Sequence, residues 1–447
     1  MRRRRLLLLW ALLGPWGALN ARAQGAPAPE RPSGASAALT LMECYRLALE
    51  QSENLKAQEQ RIRQAGRRKR QALGTLLPDL SFNASEFFQD SKSRAGSDAT
   101  SNLTRRERPE AKVTLRQPLF SGWREFSALS SFKSERERER YLLDRASTLL
   151  FLDVGRTFYL ILQLEKDEAN LSRSADLIRE RILELRERER LGKSRRSEIL
   201  SAQSQLDAIE AQRTIIGADK AEAINLLLFL TGRDSLEIRL SDDLPAVEIV
   251  ETQDHLVARA QRRSDLEALR QEIEIKRQAV RAARAAYYPS AGLLGNYYTK
   301  RVGAQQNIDW DVLLSLELPL YQGGAARARV AETESQLDEA RLNYDRRLRE
   351  IRLEIRAALL RLRASISRAQ SLKSAFEKAD ESYRLQVEEY RRGLVNNLEV
   401  LQALNNMQDR KRDYDRELLQ TKLDWLQVKT VTEEWPGQTS LMRRGSP

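Results

Sequence analysis

Two kinds of pattern divide this chain: short stretches in which apolar and polar residues alternate, and long stretches in which apolar residues return every three or four positions. Leu80, Phe82, Ala84 and Phe88 share one parity, with Glu86 as a misfit, and Ala111, Val113 and Leu115 alternate with Lys112, Thr114 and Arg116. Farther on, Leu293 and Tyr297 share a face of 291–299, and Ile308, Trp310, Val312, Leu314, Leu316 and Leu318 alternate without a break. A period of two belongs to a half-buried strand. The pattern therefore predicts two β-hairpins, over 79–118 and 290–319, each with one apolar face. A polar loop over 89–108 joins the first pair of strands, and a short loop over 300–307 joins the second.

The long stretches have heptad spacing. Leu171, Ala175, Ile178, Ile182 and Leu185 step by alternating fours and threes, and so do Tyr344, Leu348, Ile351, Ile355, Ala358 and Leu362. Tyr414, Leu418, Thr421, Trp425 and Val428 do the same. Sustained 3.5 periodicity predicts helices supercoiled on one another. The stretch from Trp123 to Leu191 holds 69 residues, about 100 Å of straight helix. Helices are also expected over 39–76, ended by Pro78, and over 251–287.

The pattern occurs twice. Pro118-Leu119-Phe120-Ser121-Gly122 returns as Pro319-Leu320-Tyr321-Gln322-Gly323, 201 positions later, and Gly192 and Gly393 keep the same offset. Upstream, Asn54-Leu55 matches Asp265-Leu266 and Pro78 matches Pro289 at an offset of 211. The halves thus differ by one ten-residue insertion between Pro78 and Pro118. A repeat of this length sets the architecture. It gives a first repeat over 39–231, with a helical-hairpin tip at Gly192, a linker over 232–250, and a second repeat over 251–433, with its tip at Gly393.

Composition adds targeting and removes chemistry. Residues 1–23 read as a secretory signal: Arg2 to Arg5, the apolar run from Leu6 to Leu13, then Ala21-Arg22-Ala23. That run is too short to span a bilayer, and no later stretch is expected to be long enough. Residues 24–38 read as a mobile leader and 434–447 as a disordered tail. The formal net charge is +12, but five of the positive charges, Arg2 to Arg5 and Arg22, sit in the signal. The rest alternate with Glu along helices, as over 135–140, which marks a solvated surface and not a nucleic-acid site. Cys44 and His255 are single, so no intrachain disulfide is possible and no metal set is expected. With no nucleophile–His pairing and no phosphate-cradling loop, no enzyme activity and no cofactor are expected. Cys44 reads as a small buried apolar residue.

Four strands of membrane-spanning length cannot close a barrel, and an open edge in lipid would leave backbone groups unpaired. Three copies would supply twelve strands, together with twelve helical segments for a hollow cylinder. The fold class expected is mainly α with a membrane β part: a coiled-coil helical barrel plus four strands per chain. A non-channel periplasmic coiled-coil protein is the competing expectation. Trp310, Tyr297, Tyr298, Phe87 and Phe88 are candidates for an aromatic belt at the membrane border. Phe120 and Tyr321 are candidates for packing where strand becomes helix.

Several motifs, in this order, resemble the TolC family of outer-membrane efflux proteins over nearly the whole mature chain. They are Leu39-Thr40-Leu41, Leu47-Ala48-Leu49 and Asn54-Leu55; Tyr288-Pro289 with the two Pro-Leu-aromatic-x-Gly segments; and Ser197-Glu198-Ile199-Leu200-Ser201-Ala202 after Gly192, with Leu398-Glu399-Val400-Leu401-Gln402-Ala403 after Gly393. The resemblance implies a homotrimer in outer-membrane lipid, with a helical tunnel reaching through the periplasm. It also implies a periplasmic adaptor (membrane fusion) protein and an inner-membrane transporter as partners. The exported cargo stays open between small-molecule efflux and type I protein secretion. Gly192, Lys193, Ser194, Gly393, Leu394 and Val395 are expected at the adaptor-docking tips. Glu198, Glu399 and Gln402 are expected near the periplasmic aperture, although Asn396 with Glu399 also fits a helix capping box. Pro78, Pro118, Gly122, Pro289, Pro319 and Gly323 are expected to mark the strand–helix borders.

Overall fold

In the computed structural model, residues 38–88, 107–233, 239–245, 247, 252–302 and 305–434 are described. The signal (1–23), nearly all of the leader (24–38), most of the first hairpin loop, part of the linker and nearly all of the tail (434–447) lie outside the described residues.

Thr40 opens the first described helix with a capping box: its side chain accepts from the Glu43 N–H, and the Glu43 carboxylate accepts from the Thr40 N–H at 2.8 Å. Helix α1 (Leu41–Gln51) follows, then α2 (Glu53–Gly74). The single helix expected over 39–76 is therefore two. Ser52 leaves the helical region at φ −53°, ψ 113° and caps α2 by accepting from the Leu55 N–H. The second half breaks at the equivalent place, between α5 (Gln253–Ala260) and α6 (Ser264–Arg284), so 251–287 is not continuous either.

Strands β1 (Asp79–Phe88) and β2 (Glu107–Ser121) lead into α3 (Arg124–Arg190) and α4 (Arg196–Thr231). After α6 and a single 3-10 turn (Ala285–Tyr287), β3 (Ser290–Arg301) and β4 (Trp310–Glu317) lead into α7 (Ala325–Arg391) and α8 (Asn397–Thr432). Helices α3 and α7 each hold 67 residues, and α4 and α8 each hold 36. Every end of these four helices keeps the 201 offset. The two halves are tandem structural repeats, built on helices of one length.

Three apolar clusters hold the helices together. Leu41, Cys44, Tyr45 and Ala48 of α1 pack on Phe151, Val154, Phe158 and Ile161 of α3, with Leu227 of α4 and Leu426 of α8. Leu256 of α5 and Leu266 of α6 pack on Ile351, Ile355 and Leu359 of α7, with Val428 and Val431 of α8. A third cluster lies toward the helical tips. It joins Leu171, Ile178 and Leu185 of α3 to Ile199 of α4, Tyr390 of α7 and Val400, Leu401 and Leu404 of α8. The heptad residues of α3 and the later ones of α7 are buried as their spacing required. In α8 the stripe differs: Leu419 and Leu426 are buried, while Leu418 and Trp425 are only half-buried. This helix packs against neighbours on more than one side, so no single seam carries its burial.

Among the described residues one helix, α3, is apolar and long enough by composition to cross a membrane, contrary to the sequence expectation. Its most apolar window is 56% buried inside the protein, as befits the helix that supplies most of the first cluster. Cys44 is fully buried in that cluster, and burial pushes its thiol up to about 11.

Candidate functional site

The sheet is the first candidate surface. Its strands lie in the order β1-β2-β3-β4, all antiparallel, so β1 and β4 are edges. The register sorts most side chains by face, with Leu294 and Leu313 paired on the side of Asn296 and Asp311. Leu80 pairs with Leu115 and Phe82 with Val113, Val113 with Tyr297, and Tyr297 with Trp310. Leu293 pairs with Leu314 and Ala291 with Leu316. These residues share one face, and its large side chains are exposed: Phe82 66%, Trp310 66%, Leu314 67% and Leu316 74%. An exposed apolar face this continuous does not belong in water.

The other face is a hydrogen-bonded polar band. Asn83 donates to Thr114 at 3.2 Å, Thr114 to Asn296 at 2.9 Å, and Asn296 to Asp311 at 2.8 Å. Tyr298 donates to the same carboxylate at 2.8 Å and carries Arg301 4.0 Å over its ring. Lys112 and Arg301 both reach Glu110. The band crosses all four strands. Apolar on one side and polar on the other, at strand lengths of eight to fifteen residues, is the pattern of a barrel wall between lipid and water. Two candidates for the aromatic belt fall on the wrong side. Tyr298 and Phe87 point with the polar residues, where Arg108 covers the Phe87 ring at 4.8 Å. A neighbouring residue in a strand faces the opposite way.

The strand–helix borders depend on backbone conformation. Pro78 ends the turn after α2, Pro289 stands before β3, and Pro319 follows β4. Pro118 lies inside β2, at a register shift between Pro118 and Phe120. Gly122 has φ +66°, and a Cβ there would meet the Ala285 carbonyl oxygen at 2.6 Å. Only glycine allows that approach. Trp123 follows with φ +66° as well, which the sequence did not signal. Its ring stacks edge-on against Phe120 and lies 5.5 Å from that of Phe126. The second half has Gly323 and Gly324 at the same two positions, both with positive φ. Tyr321, the repeat counterpart of Phe120, is 89% exposed and lacks that stacking.

The helical tips are the second candidate surface. Gly192 (φ +69°) and Gly393 (φ +78°) close α3 and α7 in the same way. Lys193 N–H reaches the Arg188 carbonyl at 2.8 Å, and Leu394 N–H reaches that of Glu389 at 2.9 Å. The glycine N–H groups bond Glu189 and Tyr390. Both tips are therefore Schellman turns. Lys193 is exposed and Leu394 is 71% exposed; Ser194 is half-buried, and Val395 packs partly into the third cluster. One tip presents Lys193, Arg195 and Arg196, the other Leu394 and Leu398, all exposed.

Just inside the tips, Glu198 accepts from the Ser194 hydroxyl at 2.7 Å. Glu399 is held twice by Asn396, which accepts from its N–H at 3.1 Å and donates to its carboxylate at 3.0 Å. Gln402 is exposed one turn farther along. Glu198 and Glu399 occupy equivalent places, each tied to its own turn.

A link between the tips has no counterpart in the sequence reading. Arg181 of α3 donates to Asn397 of α8 at 2.9 Å and lies 3.7 Å over the Tyr390 ring. Arg188 covers the same ring at 4.3 Å. Tyr390 stands where the repeat has Glu189, so the available signal was a departure from repetition.

Residues 257–431 match the family model described as outer membrane efflux protein. Outer membrane protein OprJ of Pseudomonas aeruginosa is 26% identical over 148 residues, 32% of this chain and 31% of that protein. Outer membrane protein TolC of Vibrio cholerae is 20% identical over 275 residues, 59% of this chain and 63% of that protein. The chain thus spans less than two thirds of the length of these curated relatives. The solved structure of CusC superposes with a TM-score of 0.78 at 14% identity, covering 88% of this chain and 91% of that one. At that identity the likeness is one of fold.

Proposed function

We propose that this chain is a TolC-family outer-membrane efflux protein and that three copies of it form an exit duct across the outer membrane. Their sheets close one twelve-stranded barrel, and their helices continue it as a tunnel into the periplasm. The helical tips dock a periplasmic adaptor that joins the duct to an inner-membrane transporter. Cargo then passes outward without entering the periplasm. The chain's role is conduction, with no catalytic step.

One observation carries this reading. A four-stranded sheet with an apolar face, a polar face and two open edges is joined twice to helices of matched length. A lone copy in lipid would leave both edges unpaired, at several kcal/mol for each buried group. A water-soluble protein would leave Phe82, Trp310, Leu314 and Leu316 exposed in one patch. Symmetric closure removes both problems.

The two tips offer chemically different docking surfaces, one basic and one apolar. Glu399 and Gln402, with Glu198, line the tunnel's narrow end, where a ring of carboxylates favours cations. Purified protein added to planar bilayers is expected to give discrete channel currents, and Glu399→Gln is expected to weaken block by divalent cations. Absence of any conductance would overturn the duct; unchanged block would remove Glu399 from the aperture.

A further inference from the structure

The exposed positions of α3 mark the side of the helices that faces the tunnel. Between residues 141 and 162 only Leu149, Asp153, Arg156 and Leu160 are exposed, and steps of four, three and four put them on one stripe. Phe151 and Phe158, which pack with α1 in the first cluster, lie half a turn round from Leu149. Inside a tunnel, α1 and the linker segment bridged to it at Leu39 and Leu240 would fill the bore in every copy. They therefore lie outside, and the stripe faces the lumen. Arg124, about seven turns before Leu149, agrees with this. It shares a recess with Ser121, Ser290 and Glu317, which pair in one row on the sheet's polar face.

Followed toward the tips, the same stripe passes Asp167 and reaches Ser174. There it becomes the floor of a cavity of about 360 Å³, with α4 and α8 as its walls. At the end nearer the tips, Gln205 of α4 donates to Asn405 of α8 across the floor. Beyond the other end, Arg416 of α8 donates to Asp167 at 2.8 Å. The lining is rich in carboxamides: Asn170 on the floor, Gln205 and Gln212 on one wall, Asn405 and Gln408 on the other. Its two charged side chains, Asp409 and Arg412, neutralise each other at 2.7 Å. Asn170 donates to Asp415 at 2.9 Å, whereas the Gln408 Nε2 is buried without a hydrogen-bond partner among the described residues. A buried donor left without a partner is costly, and an acceptor brought to it recovers that cost.

We propose, resting on the three-copy duct above, that this niche is a binding site in the tunnel wall for an uncharged solute bearing amide and hydroxyl groups, about the size of a disaccharide. Each carboxamide both donates and accepts, and the lining has no net charge, so the niche favours hydrogen-bonding groups over ions. The duct carries one niche per copy, and a matching solute pauses there on its way outward.

Single-channel currents of the full-length protein in planar bilayers test this, with N,N′-diacetylchitobiose as the probe. The probe is expected to interrupt the current briefly and repeatedly. Gln408→Leu is expected to raise the blocking concentration about fivefold, and Gln212→Leu, at the exposed rim, repeats the test should Gln408→Leu fail to assemble. Position is read separately. A charged, membrane-impermeant thiol reagent is expected to lower the conductance of Ala208→Cys, which lines the niche, and to leave that of Asp176→Cys, on the opposite face of α3, unchanged. The native Cys44 is fully buried and adds no background. Currents that the probe never interrupts, interruptions that both leucine variants leave unchanged, or a labelled Ala208→Cys with full conductance would overturn the niche alone. Absence of any current in the parent protein would overturn the duct with it.

Discussion

The guanidinium of Arg181 lies 3.7 Å from the centre of the Tyr390 ring, fastening the first half's long helix to the second half's at the tip. Arg181 is 8% exposed and Tyr390 5%, so the contact is shielded from water. A cation held over a ring in such a place is worth about 2 kcal/mol or more. Tyr390→Ala also removes a core aromatic, and is expected to cost about 3 kcal/mol of local stability. Hydrogen exchange should quicken near both glycine turns, while Tyr390→Phe keeps the stack and most of the protection. Equal protection in Tyr390→Ala would show that the tie carries no weight.

The break between α5 and α6 is held by a buried cation. Arg263, 1% exposed, donates to Asp265 at 2.7 Å, to Glu354 at 2.8 Å and to the Val431 carbonyl at 3.1 Å. Burial pushes the Asp265 carboxyl up, but the hydrogen bond and charge of Arg263, with Arg145 and Arg347, hold it below the usual carboxylate range. Such a lowered carboxylate stabilises the fold above the unfolded value and loses that contribution as pH falls through the folded one. Arg263→Ala strands the acids and is expected to cost about 3 to 5 kcal/mol. Thermal unfolding should show the loss at pH 7, and it should shrink under strong acid.

Asp144 points the other way. Burial, then the nearby Glu433, push its carboxyl up to about 6. A raised carboxyl binds its proton more readily folded than unfolded, so the fold gains stability as pH falls from about 7 toward about 4. Asp144→Asn should flatten that part of the pH–stability profile relative to the parent and raise stability at pH 7. Parallel profiles for the two proteins would contradict this assignment.

How much of this was visible beforehand follows from where each signal lies. The helix ends were legible because glycine and proline act on their own backbone: Gly192 and Gly393 had to mark turns, and the stretch expected over 123–191 is helix α3 less one residue at each end. The two-faced sheet was legible because alternation is local. The break at Ser52 was not, since a serine capping Leu55 resembles a serine inside a helix until its φ and ψ are known. Arg263 was invisible for another reason. Arginine belongs on the surface by default, and this one is buried by acceptors 2 to 168 residues away in sequence. What the tips touch, in the function proposed above, is written on the partner and not in this chain.

Leu394 is the cleanest probe of that contact. It is 71% exposed and packs into none of the three clusters. Leu394→Glu should leave folding within about 0.5 kcal/mol of the parent yet reduce export in cells that depend on this protein. Drug or cargo retention measures it; full export would remove Leu394 from the docking surface.

In the proposed duct one chain is a third of a sealed tube. Native mass spectrometry of the full-length protein released from detergent counts the copies directly. Three chains in the smallest particle that conducts is the expected result, and a conducting particle of one chain would contradict it.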